Sequence, residues 1–147
     1  MNKIPQTVFI VDDDASFLAT MSRWLRAFGY PVESFTSATD FLAQRTTDTA
    51  GCVVADLEMP GMDGMALQAA LAQSDNPLPI VFLTGYGDIP TSVQAMRSGA
   101  EDFLLKTASK KELLSAIERA LTRGLYEQET RRRQHDLVQR FAKLTPR

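Results

Sequence analysis

Several residue types are scarce in this chain, and each shortage removes a class of protein. A single cysteine, Cys52, among 147 residues excludes an internal disulfide framework and suits a reducing cytoplasm, where it reads as a small core residue in a strand. The lone histidine, His135, has no ligand partner near it in sequence and takes no role. No apolar run approaches the ~20 residues that cross a bilayer, and residues 1–6 form no apolar stretch of the secretory kind. No contact with a membrane is expected. What remains is ordinary for a domain with a real core, with 44% hydrophobic and 23% charged residues.

The net charge of −2 conceals an asymmetry. Residues 1–122 carry 9 Lys/Arg against 15 Asp/Glu, whereas residues 123–147 carry 7 against 3. An acidic body is followed by a basic tail, and the two are read as separate units.

The body alternates apolar runs with helical patterns. Thr7–Val11 is a continuous apolar run of the kind found in a strand buried on both faces. It stops at Asp12-Asp13-Asp14, after which Phe17, Leu18, Met21, Leu25 and Phe28 recur at helical spacing up to Gly29. Asp14 is placed at the opening of that helix. Residues 32–35 form a second short strand, and Ser37 to Asp40 has the pattern of a capping box. Val53-Val54-Ala55 is the third strand, and it delivers Asp56 to a turn containing Pro60, Gly61 and Gly64. Residues 80–83 and 102–105 supply strands four and five, ending at Thr84 and Lys106. Five rounds of strand and helix predict an α/β fold: a doubly wound, five-stranded parallel sheet in the order 2-1-3-4-5, flavodoxin-like.

In such sheets ligands gather outside the carboxyl ends of the strands, where the strand order reverses. Those ends present Asp12, Asp13, Asp56, Thr84 and Lys106. Three converging carboxylates repel one another unless a cation neutralises them, and hard oxygen ligands in a partly hydrated setting favour Mg²⁺. A carboxylate can also attack phosphorus and become an acyl phosphate, with a lysine and a hydroxyl steadying the phosphoryl oxygens.

At this point the sequence resembles the receiver domain of two-component response regulators. The resemblance rests on Val11-Asp12-Asp13, the run from Asp56 to Gly64, Thr84-Gly85 and Lys106, and covers about residues 6–122. Residues 84–90 resemble the FixJ branch of the NarL/FixJ group. The resemblance implies that Asp56 is the phosphoacceptor, supplied by a sensor histidine kinase. It also implies that Mg²⁺, or Mn²⁺ in its place, is held by Asp13, Asp56 and the Glu58 carbonyl, with Asp12 acting through water. It implies further that Thr84 and Phe103 move together on activation, and that dimerisation uses the surface around strand five and the last helix. The chemistry would be self-phosphorylation and self-dephosphorylation rather than turnover of a substrate. Glu58 and Tyr86 are expected to tune the lifetime of the phosphorylated state. The family usually has proline after the lysine, where this chain has Thr107. A non-proline cis bond costs ~3–4 kcal/mol, so a trans or strained bond is expected there.

The tail reads as a basic helical linker that either extends or follows the last helix, with Gly124 interrupting the helical pattern and residues 126–136 lacking an apolar stripe. Leu144-Thr145-Pro146-Arg147 resembles the opening of a LuxR-type helix-turn-helix domain. The expectation is a natural protein that continues past Arg147, with DNA bound only through that further domain. Two rivals stand beside this reading. Asp12 to Ser16 fits the Asp-x-Asp-x-Ser nucleophile motif of haloacid-dehalogenase-type phosphatases, but that family needs a later acidic pair and leaves Asp56 without a task. A protein-binding module that is never phosphorylated is the other.

Overall fold

The computed structural model describes residues 6–46, 48–85 and 87–144, the last four as helical backbone alone. Five apolar runs pair side by side: β1 (Gln6–Val11), β2 (Val32–Phe35), β3 (Ala50–Ala55), β4 (Ile80–Thr84) and β5 (Asp102–Leu105). All pairings are parallel, and the order is β2-β1-β3-β4-β5, as the sequence predicts. Parallel neighbours need crossovers, and the helices α1 (Ala15–Ala27), α2 (Ala38–Gln44), α3 (Gly64–Ala72), α4 (Ile89–Arg97) and α5 (Lys110–Leu144) supply and follow them.

Because helices cover both faces, the central strands are mostly apolar, and β3 and β4 are buried at every residue. One face packs Phe9, Phe41, Val53, Leu67 and Phe82 under α2, α3 and α4. The other packs Ile10, Leu25, Val54, Val81 and Ile117 under α1 and α5. Cys52 lies in β3 with no exposure, and burial pushes its thiol up to about 12, so it is an inert core residue.

Side-chain caps set the helix starts. Asp14 accepts from the Phe17 N–H at 3.1 Å, which places it at the opening of α1 as expected. Ser37 caps α2 and Ser109 caps α5 through the Asp40 and Glu112 N–H groups. Asp63 and Asp88 cap α3 and α4 in the same way.

Gly124 breaks the helical pattern of the sequence but not the helix, and α5 runs 35 residues through it. A Cβ at Gly124 would lie 2.6 Å from the Gly51 carbonyl oxygen and 3.3 Å from the Pro79 ring. Gly51 in turn has φ +147°, and a Cβ there would sit 1.8 Å from the Thr7 carbonyl oxygen. The two glycines therefore let helix, strand and neighbouring strand approach more closely than side chains allow. That contact offsets the ~1 kcal/mol by which glycine weakens a helix interior. No helix among the described residues is long and apolar enough to cross a membrane.

Candidate phosphoryl and metal site

The carboxyl ends of β1, β3, β4 and β5 are tied level by backbone hydrogen bonds. The Asp56 N–H donates to the Val11 carbonyl at 3.0 Å, and the Lys106 N–H donates to the Thr84 carbonyl at 2.7 Å. Asp12, one residue past β1, donates its N–H to Phe35 of β2 at 3.1 Å. Strand pairing thus delivers residues remote in sequence to one rim. The switch in strand order lies between β2-β1 and β3-β4-β5, and Asp12 and Asp56 stand on either side of it.

The loop after Asp56 is built to turn back at once. Gly61 has φ +76°, which glycine adopts without strain. Gly64 needs space rather than an unusual φ: a Cβ there would meet the Asp56 carbonyl oxygen at 2.6 Å. Its N–H donates to the Leu57 carbonyl at 2.8 Å, so the loop folds against its own strand end. The Glu58 N–H donates to Asp56 Oδ1 at 3.2 Å, and this orients the carboxylate. The Glu58 side chain is exposed.

Asp12, Asp13 and Asp56 each present an oxygen within 4.8 Å of the others. Asp12 and Asp56 are buried and Asp13 is exposed, so the cluster is anchored on one side and open on the other. Lys106 Nζ lies 2.7 Å from Asp12 Oδ2 and 3.3 Å from Asp56 Oδ2, and 4.2 Å from the centroid of the Phe17 ring. Burial pushes the Asp12 carboxyl above its ordinary range; the Lys106 and Asp14 contacts pull the other way without offsetting it, and the Asp56 charge adds to the rise. For Lys106, burial alone would weaken its hold on the proton. The Asp12 and Asp56 carboxylates outweigh that and raise it. One cation thus faces three acidic groups, two of them buried. Hard oxygens clustered with an open side are the donor set Mg²⁺ takes, which also keeps some of its water.

Thr84 is buried at the end of β4. Phe103, on β5, is half-buried and packs on Phe82 with ring centroids 6.2 Å apart. Both border Gly87, whose added Cβ would meet Phe103 Cε1 at 2.8 Å and Thr84 Cγ2 at 3.5 Å. Tyr86 lies outside the described residues. The Lys106–Thr107 bond is trans.

Sequence reasoning missed Phe17 as a neighbour of the site, treating it as one more apolar residue of α1. Nothing in a helical repeat signals a lysine 89 positions away. The closeness of Gly87 to Phe103 was equally hidden, because it depends on how the loop after β4 lies over β5.

A family model for the response regulator receiver domain matches residues 8–118. Nodulation protein W of Bradyrhizobium diazoefficiens is 39% identical over 140 residues, which is 95% of this chain and 62% of that protein. The tetrathionate response regulatory protein TtrR of Salmonella typhimurium is 44% identical over 116 residues, covering 79% of this chain and 56% of its own. The chain therefore spans somewhat over half the length of these relatives. Among solved structures, the response regulator StyR superposes with TM-score 0.88 at 44% identity, covering 96% of this chain and 71% of its own. The crystal structure named FixJ-N gives 0.74 at 36%, covering 83% and 96%. Strand order, the acidic rim with its lysine and the match across residues 8–118 agree, and the chain belongs to the response regulator receiver domain family of two-component systems, a phosphoacceptor signalling fold.

Proposed function

We infer that Asp56 is the phosphoacceptor, that a sensor histidine kinase is the donor, and that the phosphorylated chain dimerises to switch a transcriptional regulator. The observation carrying this reading is the convergence of Asp12, Asp13 and Asp56 oxygens within 4.8 Å, with Lys106 on Asp56 at 3.3 Å. An Asp56 oxygen attacks the phosphorus of the kinase's phosphohistidine; the P–N bond breaks, a P–O bond forms, and the imidazole leaves and takes up a proton. Asp12, Asp13, Asp56 and the Glu58 carbonyl would hold Mg²⁺, which offsets charge on the phosphoryl oxygens when bound. Lys106 and Thr84 bind those oxygens in the product.

Phosphorylation adds about −1.5 to −2 charge and three acceptor oxygens at this rim. Thr84 moves towards them and Phe103 turns into the space left, a two-state change biased by local charge. The surface that responds is the α4-β5-α5 face. Ile89, Val93, Met96 and Leu105 are large, apolar and 42–79% exposed on its α4 and β5 part, which suits a homodimer contact. Residues 1–122 form the receiver and residues 123–147 the basic helical linker, beyond which a further domain would contact DNA. Glu58 and Tyr86 limit the access of water to the phosphoryl group. Later hydrolysis by water returns the Asp56 carboxylate, so the chain stores a signal and turns over no substrate.

The test is labelling with a small phosphodonor such as acetyl phosphate in the presence of Mg²⁺. Wild type should take up label, chelation of Mg²⁺ should prevent it, and Asp56→Asn should take up none. Label retained in Asp56→Asn and lost in Asp12→Asn would move the nucleophile to Asp12, the phosphatase arrangement.

A further inference from the structure

A second concavity lies on the other side of Lys106, between α1 and the start of α5. Its volume is about 480 Å³, inside the ~300–1,000 Å³ range of small-molecule sites. Met21, Trp24, Leu83 and Leu113 give it apolar walls, and Arg23, Lys106 and Lys110 are its charged members. No acidic side chain lines it among the described residues. The Lys106 ammonium is already engaged by Asp12 and Asp56. Arg23 and Lys110 are exposed and have no carboxylate partner among the described residues; Lys110 Nζ stands 5.4 Å from the centroid of the Trp24 ring. On a body whose charge is predominantly acidic, two unmatched cations beside a tryptophan-walled cavity form a local exception.

We propose that this cavity binds a small amphipathic anion: an apolar ring system carrying one carboxylate or sulfonate. The ring system lies against Trp24, Met21 and Leu113, where apolar area leaves water. The anionic group meets Arg23 and Lys110, the charges that no described carboxylate neutralises. The walls alone would accept any apolar body, so the two cations set the preference for an anion. Binding here is independent of the phosphoacceptor reading, because Lys106 enters only as a wall and its ammonium points to the Asp12 and Asp56 side.

Trp24 is the sole tryptophan, so its emission reports on this site without interference. The probe is 1-anilinonaphthalene-8-sulfonate, and its uncharged relative N-phenyl-1-naphthylamine is the comparison. Wild type should show saturable quenching of Trp24 at one probe per chain. The neutral compound and the R23Q/K110Q variant should each bind about tenfold more weakly, as loss of two partly screened charges implies. A27E, which sets a carboxylate in the cavity wall, should weaken the sulfonate further and the neutral compound little. Circular dichroism verifies that both variants are folded. Absence of saturation would overturn the proposal and leave the cavity to a protein partner. Equal affinity for the two probes, or unchanged affinity in R23Q/K110Q, would overturn it too.

Discussion

At Asp12 two physical demands oppose each other. Delivery to the sheet rim requires burial, and the carboxylate is 1% exposed; holding a cation requires charge. Its carboxyl is therefore raised above the ordinary 3.8. The folded state binds this proton more tightly than the unfolded chain, so stability falls as pH rises upwards from that value. In metal-free buffer, Asp12→Asn should raise stability at neutral pH by about 1 kcal/mol, because Lys106 keeps Asp56 as a partner. Mg²⁺ should raise the Tm of wild type and not of the variant. Thermal melts with EDTA and with Mg²⁺ check both, and a variant less stable than wild type in EDTA would sink the argument. Gly87 makes a second residue-scale test. The Cβ of Gly87→Ala would press on Phe103 from 2.8 Å, so the ring must move. The expected result is a shifted Phe103 ring resonance without phosphorylation, and a loss of roughly 1–2 kcal/mol from overpacking.

Among the elements, β3 and α5 show where local pattern stops being informative. The run Val53–Ala55 was legible as strand, with Cys52 beside it, but the strand begins at Ala50, on the far side of Gly51, a residue type that strands disfavour. Its reason for being in a strand is the Thr7 carbonyl pressing against it. The sequence leaves open whether the last helix continues through Gly124 for the same reason, since its partner Gly51 is 73 residues distant in the chain. Strand order and the five rim residues were readable because alternation, burial and strand ends are properties of short segments. Contacts between distant glycines are not. Gly124→Val should lose ~2–3 kcal/mol in urea denaturation, although the new residue is the better helix former, since its Cβ would stand 2.6 Å from a backbone oxygen that cannot rotate away. A neutral result would mean that α5 is not seated on β3.

For the whole molecule, the prediction concerns association. Met96 is 45% exposed on α4, and Met96→Glu places a charge in the proposed contact without touching the core. The monomer should keep its stability within ~0.5 kcal/mol, while sedimentation velocity with acetyl phosphate and Mg²⁺ should no longer show a dimer. A variant that dimerises as wild type does would remove α4 from the interface.

The length of α5 has a mechanical consequence. At ~1.5 Å per residue, the stretch from Gly124 to Leu144 extends about 30 Å past the point where the helix rests on the sheet. Its first turns still lie beside the body, where Gln128, Arg131 and Val138 line a cavity with Asp48 and Asp75. A tilt of ~10° about the paired glycines would reshape that cavity and carry the far end about 5 Å, of the order of one helical turn. A small rearrangement at the rim could in this way be delivered as a displacement of several ångströms at Leu144.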